Sequence, residues 1–186
     1  MTESASRNQP SLLRSLATFL LAIALVPLAS TPAAAQSAPP SDYTLIPAAS
    51  RIAAPDFLLT GIDGKKLILS QYRGRIVLLD FWAVDCGGCK VEIPWYVDFD
   101  RSYRSKGLQL VGIDMYGESP DKVRVFMARS GMRYPVAIGN DLLGAQFHVD
   151  QMPLTLLIDR NGRIAISHAG IVDRAKFEDD IQQLLR

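Results

Sequence analysis

Leu79-Asp80-Phe81-Trp82-Ala83-Val84-Asp85-Cys86-Gly87-Gly88-Cys89-Lys90-Val91-Glu92-Ile93-Pro94 decides how the rest of the chain is read. Its beginning belongs to Ile76-Val77-Leu78-Leu79-Asp80-Phe81, a nearly unbroken apolar run rich in branched residues, as expected of a strand buried on both faces. Four residues later come Cys86 and Cys89, the only two cysteines, where a helix should begin. Residues three apart on a helix share a face, with Cβ atoms about 5–6 Å apart. Slight adjustment brings such a pair within disulfide reach. Free backbone N–H groups and the positive end of the helix dipole favour an anion at Cys86, which supplies thiolate at neutral pH. Cys89 lies one turn deeper, with its sulfur shielded.

Other uses of two cysteines fit less well. A structural disulfide closing so short a loop removes little entropy from the unfolded chain. Zinc needs four ligands, and the only histidines, His148 and His168, lack the H-x₃₋₅-H spacing. Covalent haem attachment needs histidine after the second cysteine, where Lys90 stands. Two reduced core thiols suit an oxidising compartment poorly. A redox pair remains the favoured reading.

Working outward, Asp56 to Thr60 and Lys66 to Leu69 flank Asp63-Gly64, a hairpin signal. Leu108 to Ile113 and Thr155 to Ile158 are further buried strands, and Asn161-Gly162 before Ile164 marks a second hairpin. Helices are expected over Cys86 to Lys106, Pro120 to Ser130, Leu142 to Phe147 and Asp173 to Leu185. Strands alternating with helices predict an α/β fold, a central mixed β-sheet flanked by helices, with an N-terminal β-hairpin extension.

Residues 1–35 read as a secretory signal: Arg7 and Arg14, an apolar run from Leu16 to Leu28, then Ala33-Ala34-Ala35. The run is shorter than the roughly 20 residues of a spanning helix, so an uncleaved membrane anchor is the lesser alternative. The expected location is periplasmic or secreted. Residues 36–51, rich in Ala, Pro and Ser, read as a flexible linker, and 52–186 as one domain. With 20 basic and 19 acidic residues there is no electrostatic footprint for nucleic acid.

The quoted stretch resembles the active-site segment of the thioredoxin superfamily, and more narrowly the exported thiol:disulfide oxidoreductases of the TlpA/ResA type. The resemblance continues through Ala54-Pro55-Asp56-Phe57, Arg73-Gly74-Arg75, Gly112-Ile113-Asp114 and Met152-Pro153-Leu154 to Ile164, covering nearly all of 52–186. It implies a thioredoxin-like fold and a protein-disulfide oxidoreductase. Cys86 would be the nucleophile and Cys89 the resolving thiol. Pro94 would bend the active-site helix. Met152-Pro153 would be the cis-proline loop facing the cysteines, and Trp82, Met152 and Pro153 would bind substrate.

Asp80 matches the buried carboxylate of thioredoxins and Glu92 the active-site glutamate of the TlpA/ResA type. A desolvated carboxylate has a raised pKa and can take the proton of Cys89. The bland alternatives are a structural acid at Asp80 and a solvated helix face at Glu92. Val84-Asp85 departs from the family, which usually places tryptophan before the first cysteine. Asp85 is either the helix N-cap or a charge that opposes the Cys86 thiolate and makes the pair more reducing.

The expected function is therefore a dithiol reductant of protein disulfides, including apocytochromes before haem attachment in cytochrome c maturation. No organic cofactor and no metal are implied. Expected partners are protein thiol or disulfide substrates and a membrane-bound electron donor, with the chain a monomer. A thiol peroxidase is disfavoured because the Thr and Arg context of a peroxidatic cysteine is missing. A copper-delivery protein would use both thiolates with His148 or Met152, but copper carriers on this fold space their cysteines more widely.

Overall fold

The computed structural model describes residues 43–186. The secretory signal expected over 1–35 and the first part of the linker lie outside the described residues. Strands β1 (Leu58–Thr60) and β2 (Lys66–Ile68) pair antiparallel as the expected hairpin. Then follow β3 (Ile76–Trp82), α1 (Gly87–Tyr103), β4 (Leu108–Asp114), α2 (Pro120–Ser130), β5 (Val136–Ile138), α3 (Asp141–Phe147), β6 (Leu154–Ile158), β7 (Ile164–Ala169) and α4 (Arg174–Leu185).

The main sheet has the order β5-β4-β3-β6-β7. β3 is parallel to β4 and β4 to β5, so α1 and α2 serve as the crossovers that parallel strands require. β6 and β7 are antiparallel to their neighbours and joined through Asn161-Gly162, where Gly162 takes a left-handed φ of 71°. This is the expected mixed sheet. All seven residues of β3 are buried because helices cover both faces of the central strand. Ile76, Leu78 and Trp82 pack with Ile93, Tyr96 and Phe99 of α1 and Phe177 and Ile181 of α4. Val77, Leu79 and Phe81 pack with Leu143 and Phe147 of α3 and with Phe57, Leu67 and Leu69. Fully burying each such side chain stabilises by roughly 1.5–3 kcal/mol.

The structure departs from the sequence reading in three places. β5 was not expected: three residues after a proline are too short for an alternation signal. The first helix ends at Tyr103, and Arg104–Lys106 forms a 3₁₀ turn before Gly107, whose φ is 108°. The third departure concerns the linker, whose described part is docked rather than free. Tyr43 is 5% exposed and meets Phe177 edge-on, with ring centroids 6.0 Å apart. Ile46 N–H donates to the Ala165 carbonyl at 2.8 Å, and Arg51 pairs with Asp159 at 3.1 Å. The Pro- and Ala-rich composition masks two apolar anchors, Tyr43 and Leu45, that pack against the domain core.

Candidate active site

The end of β3 delivers the chain to the N-terminus of α1, and Cys86 is the N-cap, with an extended backbone at φ −77° and ψ 114°. Its Sγ accepts the Cys89 N–H at 3.1 Å. This is the position where an amide and the helix dipole together stabilise a thiolate. Cys86 and Cys89 form a disulfide with Cα atoms 5.3 Å apart. Cys86 is half-buried whereas Cys89 is buried, so an incoming thiol or disulfide reaches Cys86 first.

Asp85 is therefore not the N-cap. Nor is it an unpaired charge beside the nucleophile: its Oδ2 meets Lys122 Nζ at 2.9 Å. The Lys122 ammonium holds the Asp85 carboxyl below its ordinary range. The electrostatic expectation for Asp85 is corrected accordingly, because α2 brings a cation that no local reading of Val84-Asp85-Cys86 contains.

Behind the disulfide lie two buried acids. Asp80 is on the face of β3 that packs toward α1, and among the described residues neither of its oxygens has a hydrogen-bond partner. Burial, and then the neighbouring Glu92, push its carboxyl well above the ordinary value. Glu92, one turn beyond Cys89, is 0% exposed, which removes the solvated-face alternative. Its Oε1 accepts the Val172 N–H at 2.7 Å, while Oε2 has no partner among the described residues. Burial raises Glu92 to about 7, with the Val172 N–H and Tyr96 partly offsetting. Across the sheet, Asp80 is in register with Thr155, whose Oγ1 is 2.8 Å from the Tyr96 hydroxyl.

Met152 and Pro153 form the opposite wall, and the peptide bond between them is cis. A Cβ at Gly88 would stand 3.0 Å from Pro153 Cδ and 3.3 Å from Ile171 Cγ1, so only glycine lets these residues close over the first turn of α1 without displacement. Trp82 does not line this surface, contrary to expectation. It is 0% exposed and stacks on Phe126 at 5.1 Å, because the last residue of β3 points into the layer covered by α2. Cys86, Cys89, Asp80, Glu92, Met152 and Pro153 are thus gathered at one end of the sheet, with Trp82 beneath.

Sequence reasoning missed Tyr96, Thr155, Val172, Ile171 and Lys122. Tyr96 follows Glu92 by four residues on one helix, a spacing that places them on one face. The others come from distant segments and have no local signal. His148, raised as a copper ligand, ends α3 in a left-handed conformation. Among the described residues no three of His, Cys, Asp and Glu converge as a metal site.

The arrangement supports dithiol–disulfide exchange. The Cys86 thiolate attacks one sulfur of a substrate disulfide and the substrate's other sulfur leaves as a thiolate. Cys89, giving its proton to a buried carboxylate, then attacks Cys86 Sγ, and the substrate's second thiolate departs as the Cys86–Cys89 disulfide forms. In this direction two electrons pass to the substrate, and the reverse sequence oxidises a substrate dithiol. Glu92, raised to about 7, can accept that proton, and Asp80, desolvated beside it, is the second acid through which the proton can pass.

The AhpC/TSA family model matches residues 51–167. Among characterised relatives, thiol-disulfide oxidoreductase ResA of Geobacillus kaustophilus is 31% identical over 132 residues, 70% of this chain and 75% of the relative. ResA of Bacillus subtilis is 32% identical over 128 residues, 68% of this chain and 70% of the relative. A crystal structure of a thiol:disulfide interchange protein of the thioredoxin family from Chlorobium tepidum superposes with a TM-score of 0.66 at 27% identity, covering 73% of this chain and 97% of that one.

Proposed function

Because the chain belongs to the AhpC/TSA family of the thioredoxin superfamily and is a thiol-disulfide oxidoreductase, we propose that it works outside the cytoplasm as a dithiol reductant of protein disulfides. In this reading Cys86 is the nucleophile, Cys89 resolves the mixed disulfide, and Glu92 with Asp80 handles the proton of Cys89. The electrons reside in the dithiol itself, and a membrane-bound thiol donor restores it after each turnover. The substrates include disulfides of apocytochromes awaiting haem, and the monomer is the working unit. Met152 and Pro153 supply backbone and surface to an extended substrate segment.

The observation that carries this reading is the pair of buried, incompletely hydrogen-bonded carboxylates behind Cys89. A resolving thiol shielded from water needs an internal proton acceptor, and a carboxyl raised to about 7 matches the working pH. A protein that only stored a structural disulfide would have no use for two desolvated acids, whose burial is costly.

The test is the equilibrium potential of the Cys86–Cys89 couple against glutathione or dithiothreitol. A value near or below the roughly −270 mV of thioredoxin supports a reductant, and one near the roughly −120 mV of a strong oxidant overturns it.

A further inference from the structure

Lys122 stands in the first turn of α2, its own N–H capped by Ser119 Oγ at 3.3 Å. Its side chain turns back toward the entrance of α1, where Nζ lies 2.9 Å from Asp85 Oδ2 and 3.6 Å from Glu118 Oε1. Glu118 has a side chain only 8% exposed, and its N–H donates to Asp114 Oδ2 at 3.2 Å. Asp114, the last residue of β4, is 0% exposed. One oxygen of each of these two acids has no hydrogen-bond partner among the described residues. A single ammonium is thus shared between an interior acid pair and the carboxylate that directly precedes the reactive cysteine.

The other charges around it are differently engaged. Asp121 and Arg124 of α2 pair with each other, and Arg124 also reaches the Ile62 carbonyl. Lys90 of α1 acts on Asp85 more weakly than Lys122 does. Lys122 is therefore the principal counter-charge of Asp85.

We propose that Lys122 is a positioning residue for the reaction: held between Glu118 and Asp85, it neutralises the carboxylate beside Cys86 and so keeps the attacking sulfur available as thiolate. The proposal rests on the reading of Cys86 as nucleophile. A bare carboxylate next to a sulfur opposes its ionisation. Losing thiolate stabilisation disfavours the reduced form, which makes the couple more reducing while slowing attack at neutral pH. Burial, and then Glu118, also lift Asp114 to about 7, so this interior acid competes less for the ammonium than an ordinary carboxylate would. The bridge from Lys122 to Asp85 is exposed, and exposed pairs contribute little to folding. Its effect belongs at the sulfur.

The test measures the rate of Cys86 alkylation against pH in the reduced full chain, with the labelled cysteine identified by mass spectrometry. The proteins compared are the native chain, Lys122→Met, Lys122→Arg, Asp85→Asn and the double variant Asp85→Asn/Lys122→Met. Lys122→Met should raise the Cys86 pKa by about half a pH unit, roughly threefold less thiolate at lower pH, and Lys122→Arg should restore the native value. In the Asp85→Asn background the same Met substitution should have less than half that effect. No rise in Lys122→Met, or an equal rise in both backgrounds, overturns the proposal. Labelling of Cys89 in place of Cys86 overturns both it and the site assignment. An oxidising native couple would defeat the reductant reading without moving these titrations.

Discussion

The backbone N–H of Val172 donates to Glu92 Oε1 at 2.7 Å, tying the loop between β7 and α4 to the helix that carries both cysteines. The same loop is held to the opposite wall, where Gly170 N–H donates to the Pro153 carbonyl at 2.8 Å. One carboxylate thereby links the proton chemistry behind Cys89 to the placement of Ile171 and Pro153 over the disulfide. The bond satisfies one oxygen of Glu92 and leaves the other to exchange a proton.

Glu92 makes stability depend on pH. The folded protein keeps its proton to about 7, whereas the unfolded chain releases it near the ordinary 4.5. Between those values the folded state binds more protons, so this group's contribution to stability declines as pH rises from 4.5 to 7 and stays lost above. In the oxidised protein, Glu92→Gln should gain up to about 3 kcal/mol relative to the native chain at pH 8. It should gain far less at pH 5. Urea unfolding at both pH values is the measurement; an equal difference at the two would contradict the buried ionisation.

Asp80→Asn should slow release of the mixed disulfide by about a hundredfold or less, at or below the lower end of general acid–base effects because Glu92 remains. Formation of the mixed disulfide should change little, since Cys86 attacks through an amide-stabilised thiolate on the exposed side. Rapid mixing with a chromogenic disulfide separates the two phases. An unchanged release rate would remove Asp80 from the proton path.

Gly112→Ala should destabilise by about 1–3 kcal/mol through overpacking. An added Cβ would lie 2.9 Å from Trp82 Nε1 and 3.2 Å from Val136 Cγ2, both held inside the core. The urea midpoint should fall with little change in slope, and the tryptophan emission should shift. A midpoint equal to the native one would mean that the Trp82 layer is looser than its burial indicates.

A chain shortened to begin at residue 52 loses Tyr43 from the core and the Arg51–Asp159 pair, whose side chains are each only 11% exposed. It should be less stable than one beginning at 43 by about 3–5 kcal/mol, the scale of losing a large buried aromatic side chain. Equal unfolding curves would restore the boundary that composition suggested.

Local patterns were enough for the elements that carry strong signals. The branched run around Leu78, the proline that opens α2, and the glycines of the two hairpins each encode their own geometry, and the expected elements lie within a few residues of the observed ones. β5 escaped because Val136-Ala137-Ile138 becomes a strand only by pairing with Gly112 to Asp114. The docked segment from Tyr43 to Arg51 escaped for the same reason: its anchors act through Phe177, Ala165 and Asp159, more than a hundred residues away.

At the site the division is sharper. Residue types and spacing within one helical turn decided that Cys86 would be the accessible sulfur and Cys89 the shielded one, since both follow from where a strand hands over to a helix N-terminus. The apolar run also singled out Asp80 as an acid in an apolar setting, whereas Glu92 was marked only by the resemblance to the TlpA/ResA type. Only the tertiary structure decided what surrounds them: that Glu92 is fully buried and bonded to Val172, that Trp82 lies under α2 rather than facing substrate, and that Lys122 neutralises Asp85. Periodicity reports which side of an element a residue occupies, but ionisation and exposure depend on the neighbours that other segments bring, and those are assembled only when the chain closes on itself.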